Sequence, residues 1–85
     1  MTTTGQLQHG NLCLAPPTPA YSGANLILLP CGSTPDQLWE KRQRTNGHAL
    51  VHKPSSLCMD ARNTQEITIH QCQDDQVTQV FVIIP

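Results

Sequence analysis

The second half of this sequence repeats landmarks of the first half in the same order. The matching segments are Leu7-Gln8-His9 with Leu50-Val51-His52, Leu12-Cys13-Leu14 with Leu57-Cys58-Met59, Leu29-Pro30-Cys31 with His70-Gln71-Cys72, and Gln37-Leu38-Trp39 with Gln79-Val80-Phe81. A single match would carry little weight, whereas four in one order indicate an internal repeat. We therefore predict a single domain, residues 1–85, with a first repeat at about 5–42 and a second at about 47–85.

A chain of 85 residues has little interior with which to stabilise a fold. At this length a protein buries about 60–65% of its unfolded surface, and only Tyr21, Trp39 and Phe81 are aromatic. Such domains usually need disulfides, a metal ion or a partner. Four cysteines fit two disulfides in an oxidising compartment. The alternative is a zinc site, but there is no Cys-x-x-Cys, and the close pair His48 and His52 has no cysteine pair to complete a site.

Charge and hydropathy exclude two classes of partner. The formal net charge is −1, and the basic cluster of Lys41, Arg42 and Arg44 is too short to follow a phosphate backbone, so we predict no nucleic-acid partner. No apolar stretch approaches the roughly 18 residues of a membrane span. The segment 1–4 lacks the basic and apolar layout of a signal peptide. If the cysteines are paired, the signal lies outside this chain, and we expect a secreted protein or one of a secretory lumen such as the Golgi.

Short strands are the predicted secondary structure. Ala49–His52, Ile67–His70 and Val77–Ile84 are rich in β-branched and apolar residues. Asn46-Gly47 predicts a hairpin, because both residue types tolerate a positive φ. The proline-rich segments 16–19 and 32–35 are predicted loops. No window shows helical periodicity, so we expect about four short strands per repeat and little or no helix.

These motifs resemble the ricin-type (QxW) β-trefoil lectin repeats, a family that includes the C-terminal lectin domains of polypeptide GalNAc-transferases. The resemblance covers about residues 5–84, and it rests on the two cysteines and the Gln-x-aromatic motif that occur in order twice. It implies an all-β fold and the disulfides Cys13–Cys31 and Cys58–Cys72. Three such repeats close a trefoil barrel, so two imply a partial β-trefoil. We expect a homo-oligomer, a trimer on counting repeats or else a dimer, or a third repeat supplied by a longer parent chain.

The resemblance also implies one carbohydrate site in the second repeat. Its residues would be Asp60 as the sugar-binding carboxylate, His70 as the stacking ring, Thr78 as a hydroxyl ligand in place of the usual asparagine, and Gln79 as the amide that organises the pocket. Each has a plainer interpretation, namely a turn-capping aspartate and ordinary strand residues. Trp39 and Phe81 would be core residues.

The first repeat lacks the corresponding groups. Ala15 stands at the carboxylate position and Leu29 at the position of the ring. Asp36 could accept a hydroxyl, but we expect it to have no partners, so we predict a scaffold role for this repeat.

The predicted function is a lectin module for galactose-type or GalNAc-type glycans and glycoproteins. No nucleophile and base are recognisable, and Asp74-Asp75 would point to opposite faces of a strand, so we predict neither an enzyme nor a cofactor or metal. Two alternatives remain open. The chain could be a non-binding structural or interaction fragment of a decayed trefoil, or the lectin tail of a polypeptide GalNAc-transferase.

Overall fold

The computed structural model describes residues 5–32, 34–62, 66–73 and 76–81, and these residues form an all-β protein. The strands are β1 (Gln8–His9), β2 (Leu12–Ala15), β3 (Ile27–Pro30), β4 (Trp39–Arg44), β5 (Gly47–His52), β6 (Leu57–Asp60) and β7 (Thr68–Gln71). Over the described ranges there is no α-helix, and the only helical turns are two 3₁₀ turns at Pro35–Gln37 and Val77–Gln79. The all-β class predicted from the sequence is confirmed.

Two antiparallel sheets make up the fold. The first has the order β1-β2-β3, and the second has the order β4-β5-β6-β7. In the first sheet Leu14 lies opposite Leu28, and in the second Met59 lies opposite Ile69. The hairpin of β2 and β3 carries the disulfide Cys13–Cys31, and the hairpin of β6 and β7 carries Cys58–Cys72. We call these the first and the second disulfide hairpin, and their disulfides join the pairs that the resemblance implies.

The core lies between the inner faces of the two sheets. Its buried residues are Ala24, Trp39, Leu50, Met59 and Ile69, and six partly buried apolar side chains, Phe81 among them, pack against it. The Trp39 indole donates a hydrogen bond to the carbonyl of Leu14 at 3.1 Å, which joins the second sheet to the first. A smaller cluster of Ala49, Val51, Cys58 and Cys72 lies on the other face of the second sheet, as the alternation of side chains along a strand requires.

The hairpin predicted at Asn46-Gly47 joins β4 to β5. Its two-residue loop is Thr45-Asn46, and Arg44 pairs with Gly47. Only Gly47 has a positive φ, of 153°, whereas Asn46 does not. A Cβ at Gly47 would collide with the backbone carbonyl oxygen of Phe81, because Phe81 pairs with His48 next to it. Glycine is therefore needed at this position both for its dihedral angle and for the close approach of Phe81.

The strand predicted at Val77–Ile84 is wrong for its first three residues. Val77–Gln79 forms a 3₁₀ turn, closed by a hydrogen bond from the Val80 amide to the Val77 carbonyl. The other 3₁₀ turn, at Pro35–Gln37, lies just before Trp39, as this turn lies just before Phe81. The β-branched side chains of Val77 and Thr78 favour a strand, but the turn lets the Gln79 side chain reach back to the preceding loop. Residues 82–84 lie outside the described residues.

The segment before β3 lies along the outer edge of β7. The amide of Gly23 donates to the Ile69 carbonyl at 2.6 Å, the amide of Ile69 donates to the Ala24 carbonyl at 3.1 Å, and the amide of Leu26 donates to the Ile67 carbonyl at 2.8 Å. These bonds form a seam between the two disulfide hairpins. The seam covers the backbone of β7 and brings Gly23 next to His70.

Candidate functional site

Asp60 is the last residue of β6, and it has no solvent-accessible surface. Its Oδ2 accepts hydrogen bonds from Gln79 Nε2 at 3.0 Å and from Arg62 Nε at 2.8 Å. Arg62 is itself 46% exposed, so it covers the carboxylate from the solvent side. Asp60 is therefore a buried carboxylate just beneath the surface, and the positively charged side chain of Arg62 separates it from solvent. The plainer interpretation of Asp60 as a turn-capping residue does not account for these side-chain contacts.

The pKa of Asp60 lies below its ordinary value of 3.8. Burial of the carboxylate by itself raises the pKa, because it penalises the charged form. The polar side chains nearby, Thr78 first and then Gln79 and Arg62, together with the positive charge of Arg62, favour the charged form and lower the pKa more than burial raises it. The site therefore holds an ionised acceptor at neutral pH.

The second carboxylate oxygen of Asp60, Oδ1, is buried and has no hydrogen-bond partner among the described residues. Thr78 approaches the carboxylate closely enough to favour its charged form, but Oδ1 has no contact within ordinary hydrogen-bond distance and angle limits. A buried acceptor without a donor costs about 1–3 kcal/mol. A ligand hydroxyl placed at Oδ1 would remove that cost, and this is the feature of the site that points most directly to a ligand.

Gln79 is buried, and both hydrogens of its side-chain amide are donated within the protein. Its Nε2 donates to Asp60 Oδ2 and, at 2.9 Å, to the carbonyl of Gln71, while its Oε1 accepts from the amide of Gln73 at 2.8 Å. An amide nitrogen has two hydrogens to donate, so none is left for a ligand. Gln79 thus fixes the carboxylate of Asp60 and the loop after β7.

Thr78 lies beside Gln79 in the second 3₁₀ turn. Its hydroxyl oxygen accepts a hydrogen bond from Gln76 Nε2 at 2.8 Å, and its carbonyl accepts one from the Ala61 amide at 3.0 Å. The second bond ties the turn to the residue that follows Asp60. The interpretation of Thr78 and Gln79 as ordinary strand residues is wrong, because both belong to the 3₁₀ turn.

His70 lies on β7 opposite Cys58, and Thr68 lies opposite Asp60. Residues at alternate positions share a face of a sheet, so the register places His70 and Asp60 on the same, outer face of the second disulfide hairpin. The His70 ring is half-buried, and its Cε1 lies 4.0 Å from where a Cβ on Gly23 would stand. Asp60, Thr78 and Gln79 are therefore close together at the end of this hairpin, and His70 shares the outer face with Asp60.

The first disulfide hairpin has the same scaffold without the carboxylate. Gln37 Nε2 donates to the Pro30 carbonyl at 3.0 Å, and Gln37 Oε1 accepts from the Gly32 amide at 2.9 Å. Ala15 is buried where Asp60 stands in the other hairpin, and Leu29 is exposed at the position of His70.

The expectation that Asp36 has no partners is wrong. Its Oδ2 accepts a hydrogen bond from the Thr18 hydroxyl at 3.1 Å, and its carbonyl lies 2.9 Å from Nε2 of the buried His52.

Arg62 and Gln76 are site residues that the sequence interpretation missed. Arg62 follows Asp60 by two residues, and Gln76 precedes Thr78 by two, and each contacts that neighbour. A basic residue two positions after a carboxylate is a weak signal, because the contact depends on how the chain turns after β6.

No cluster of residues over the described ranges could hold a metal ion. All four cysteines are in disulfides, so none offers the thiolate that the zinc alternative requires. Asp74 and Asp75 lie outside the described residues. None of the helices in the described part of the chain is long and apolar enough to cross a membrane.

Comparison with protein families identifies the class. The family model of the ricin-type beta-trefoil lectin domain matches residues 1–81, and the chain belongs to this family. The two sheets and two disulfide hairpins are accordingly a partial β-trefoil. No curated protein matches the chain. Domains of this family are non-catalytic, carbohydrate-binding modules, and they are commonly extracellular or secretory.

Proposed function

We propose that the chain binds glycans of the galactose or GalNAc type through one site on the second disulfide hairpin. The site consists of Asp60, His70, Thr78 and Gln79. The observation that carries the proposal is the buried, unpartnered Oδ1 of Asp60 in a carboxylate whose other oxygen is already held by two donors. A sugar presents neighbouring hydroxyls, and hydrogen bonds from them to a charged acceptor are of the stronger kind.

Each residue has a distinct part in this proposal. Asp60 accepts from the sugar hydroxyls, and Gln79 holds it in place from below. His70 lies on the same face and offers a flat ring to the apolar C–H side of a galactose-type sugar. The Thr78 hydroxyl accepts from Gln76 and keeps its own hydrogen for a ligand or for Asp60. Arg62 lies over the carboxylate, so it moves aside or donates to the same sugar.

A single shallow site with an imidazole platform binds weakly. We expect a dissociation constant of roughly millimolar, which corresponds to about −4 kcal/mol. Effective binding of glycoproteins then needs several sites held together. We propose that a homo-oligomer, or a longer parent chain that carries a further repeat, provides them, in a secreted or Golgi-lumenal setting.

Titration of the ¹⁵N-labelled chain with galactose and with GalNAc tests the proposal. We expect amide shifts in β6 and β7 for the wild type and for Asp36→Asn, and a dissociation constant at least about fivefold higher for Asp60→Asn, because the uncharged amide weakens the hydroxyl contacts by about 1–3 kcal/mol. Asp36 is the control, because it is a half-buried aspartate of the first repeat that stands beside the motif glutamine Gln37 and also accepts a side-chain hydrogen bond. Unchanged binding by Asp60→Asn, or loss of binding in Asp36→Asn alone, would contradict the proposed site.

A second candidate function is a structural or interaction fragment that binds no glycan. The observation in its favour is the ion pair of Arg62 with Asp60. This pair compensates the buried charge of Asp60 without any ligand, so a structural role alone explains both residues. An absence of shifts with any of a panel of galactose, GalNAc and glucose at 50 mM or so, about fifty times the expected dissociation constant, would favour it. The remaining alternative, a lectin tail of a polypeptide GalNAc-transferase, concerns the parent protein and leaves the site unchanged.

A further inference from the structure

The carboxylate that a glycan would have to reach is closed to solvent. Asp60 has no accessible surface, and its unpartnered acceptor, Oδ1, is itself buried. A sugar hydroxyl can therefore contact Oδ1 only after a neighbouring side chain has moved. The cost of that movement is subtracted from the free energy of binding, so the side chain that moves helps to set the affinity.

Among the described residues, the side chains of Thr78, Gln79 and Arg62 adjoin the carboxylate. Gln79 is buried, and its amide makes three hydrogen bonds, so its displacement would leave buried groups unpaired. Thr78 lies in the same 3₁₀ turn, and its carbonyl accepts a hydrogen bond from the Ala61 amide. Neither of these two side chains can leave the carboxylate without disturbing the turn.

Arg62 is held far less firmly than the other two. Its side chain is 46% exposed, and over the described ranges its one hydrogen bond and its one ion pair are the same contact, from Nε to Asp60 Oδ2 at 2.8 Å. Ion pairs that involve solvent-exposed side chains contribute little to stability, because water replaces the lost contact. Arg62 is therefore the side chain that can uncover Asp60 at the smallest cost.

The ion pair of Arg42 with Glu40 is a useful comparison. Arg42 also bonds through Nε to an acid two residues before it, at 2.7 Å, and its side chain is 49% exposed. The two pairs differ in the acid, since the side chain of Glu40 is 47% exposed and that of Asp60 is 0% exposed. The same kind of contact is thus made with an open carboxylate on β4 and with a closed one at the end of β6.

We propose that Arg62 competes with the sugar for Asp60 and thereby limits the affinity of the site. This inference rests on the proposed glycan site and decides what Arg62 does there. When a sugar binds, Nε of Arg62 leaves Oδ2 and the guanidinium returns to water. One sugar hydroxyl then donates to Oδ1, and a neighbouring hydroxyl takes the place of Arg62 at Oδ2, while Gln79 stays bound. Two new donors for one lost donor give a net gain, which the loss of the ion pair reduces.

Titration of the ¹⁵N-labelled wild type and Arg62→Ala with galactose at neutral pH tests the proposal. We expect a dissociation constant about two- to fivefold lower for Arg62→Ala, because the sugar no longer displaces an ion pair. Arg42→Ala is the matched control, since it removes the same kind of contact far from the site along the chain. We expect this control to change the dissociation constant by less than about 1.5-fold.

The side-chain Nε–H resonance of Arg62 provides a second measurement that needs no variant to bind. Its absence from the spectrum of Arg62→Ala identifies it. We expect this resonance to move to the position of a solvent-exposed arginine when the wild type is saturated with galactose, because Nε leaves Asp60. A resonance that stays in place at saturation would overturn the proposal.

Arg62→Gln, which also lacks the charge, is the second variant should Arg62→Ala fail to fold, and we expect the same direction of change. Circular dichroism on each sample verifies folding. Equal or weaker binding by the folded Arg62 variants would overturn the proposal, and weaker binding would show that Arg62 donates to the sugar. Binding by Arg62→Ala with none by the wild type would support it. No binding by the wild type or by any variant would contradict the glycan site itself, and this proposal with it.

Discussion

Asp60 combines burial, an ion pair and an open acceptor site, and its protonation state therefore affects both stability and binding. Its pKa in the folded protein lies below the ordinary value of 3.8. A group with a lowered pKa in the folded state stabilises that state above its unfolded pKa, and the stabilisation disappears as the pH falls through the folded pKa. The effect of Asp60 on folding should therefore be complete at neutral pH.

We expect the difference in free energy of unfolding between the wild type and Asp60→Asn to be constant above about pH 5 and to shrink below about pH 4. Urea denaturation from about pH 2 to pH 7 measures it. Asp36→Asn provides the reference for the general effect of acid on this protein. A difference that stays constant down to the lowest pH would show that the Asp60 carboxylate is not stabilised in its charged form.

Gln79 and Gln37 offer a matched comparison at the residue scale. Both side chains hold the loop after the second cysteine of their hairpin, but only Gln79 also holds a carboxylate. We expect either change to alanine to lower the free energy of unfolding by about 2–3 kcal/mol, since buried partners lose their hydrogen bonds. Glycan titration should show weaker binding for Gln79→Ala only. Equal binding by both variants would mean that Gln79 does not position Asp60 for the ligand.

The site could be predicted from the sequence only in part. The motifs directed attention to Asp60 and Gln79 because both stand at fixed distances from cysteines of the repeat. The structure brings them within 3.0 Å of each other. The ion pair of Arg62 with Asp60 and the position of His70 beside the segment of Gly23 could not be predicted. The first depends on the turn after β6, and the second joins residues far apart in sequence.

At the scale of the elements, local sequence predicted the strands better than the 3₁₀ turns. The apolar run Ala49–Val51 of β5 and the residues Asn46-Gly47 predict the hairpin that the structure contains. The same reasoning failed at Val77–Gln79, where the residue types favour a strand but the side-chain hydrogen bonds of Gln79 stabilise a 3₁₀ turn. Propensity is a weak guide where a buried polar side chain must reach a particular partner.

Gly47 is the residue on which the β4–β5 hairpin depends most. We expect Gly47→Ala to lower the free energy of unfolding by about 2 kcal/mol or more, because the new Cβ has an unfavourable φ and meets the Phe81 carbonyl. Gly10→Ala is the control, since Gly10 also has a positive φ, of +61°, but open space around its Cβ position. Denaturant titration should show a clearly smaller loss for Gly10→Ala. Similar losses would mean that the collision with Phe81 contributes nothing.

The whole molecule has a small core and two covalent links. Five buried apolar residues form its main cluster, and Trp39 is the only large aromatic side chain among them. A chain of this length is close to the lower limit at which burial alone stabilises a fold. The disulfides close loops with sequence separations of 18 and 14 residues. Each is worth roughly 3 kcal/mol in the chain-entropy model, which is large against a total stability of about 5–15 kcal/mol for a typical domain.

We therefore expect reduction of both disulfides to unfold the chain, and removal of one to leave a marginal fold.

Mass spectrometry of a non-reducing digest of oxidised, secreted material should find Cys13 linked to Cys31 and Cys58 linked to Cys72. The paired change Cys58→Ala with Cys72→Ala should weaken glycan binding as well as stability, because this disulfide joins the two strands that carry Asp60 and His70. The change Cys13→Ala with Cys31→Ala should also lower the free energy of unfolding by roughly 3 kcal/mol. It should leave glycan binding intact in the protein that remains folded. A link between the two hairpins, or free thiols in such material, would contradict the independent closure of each hairpin.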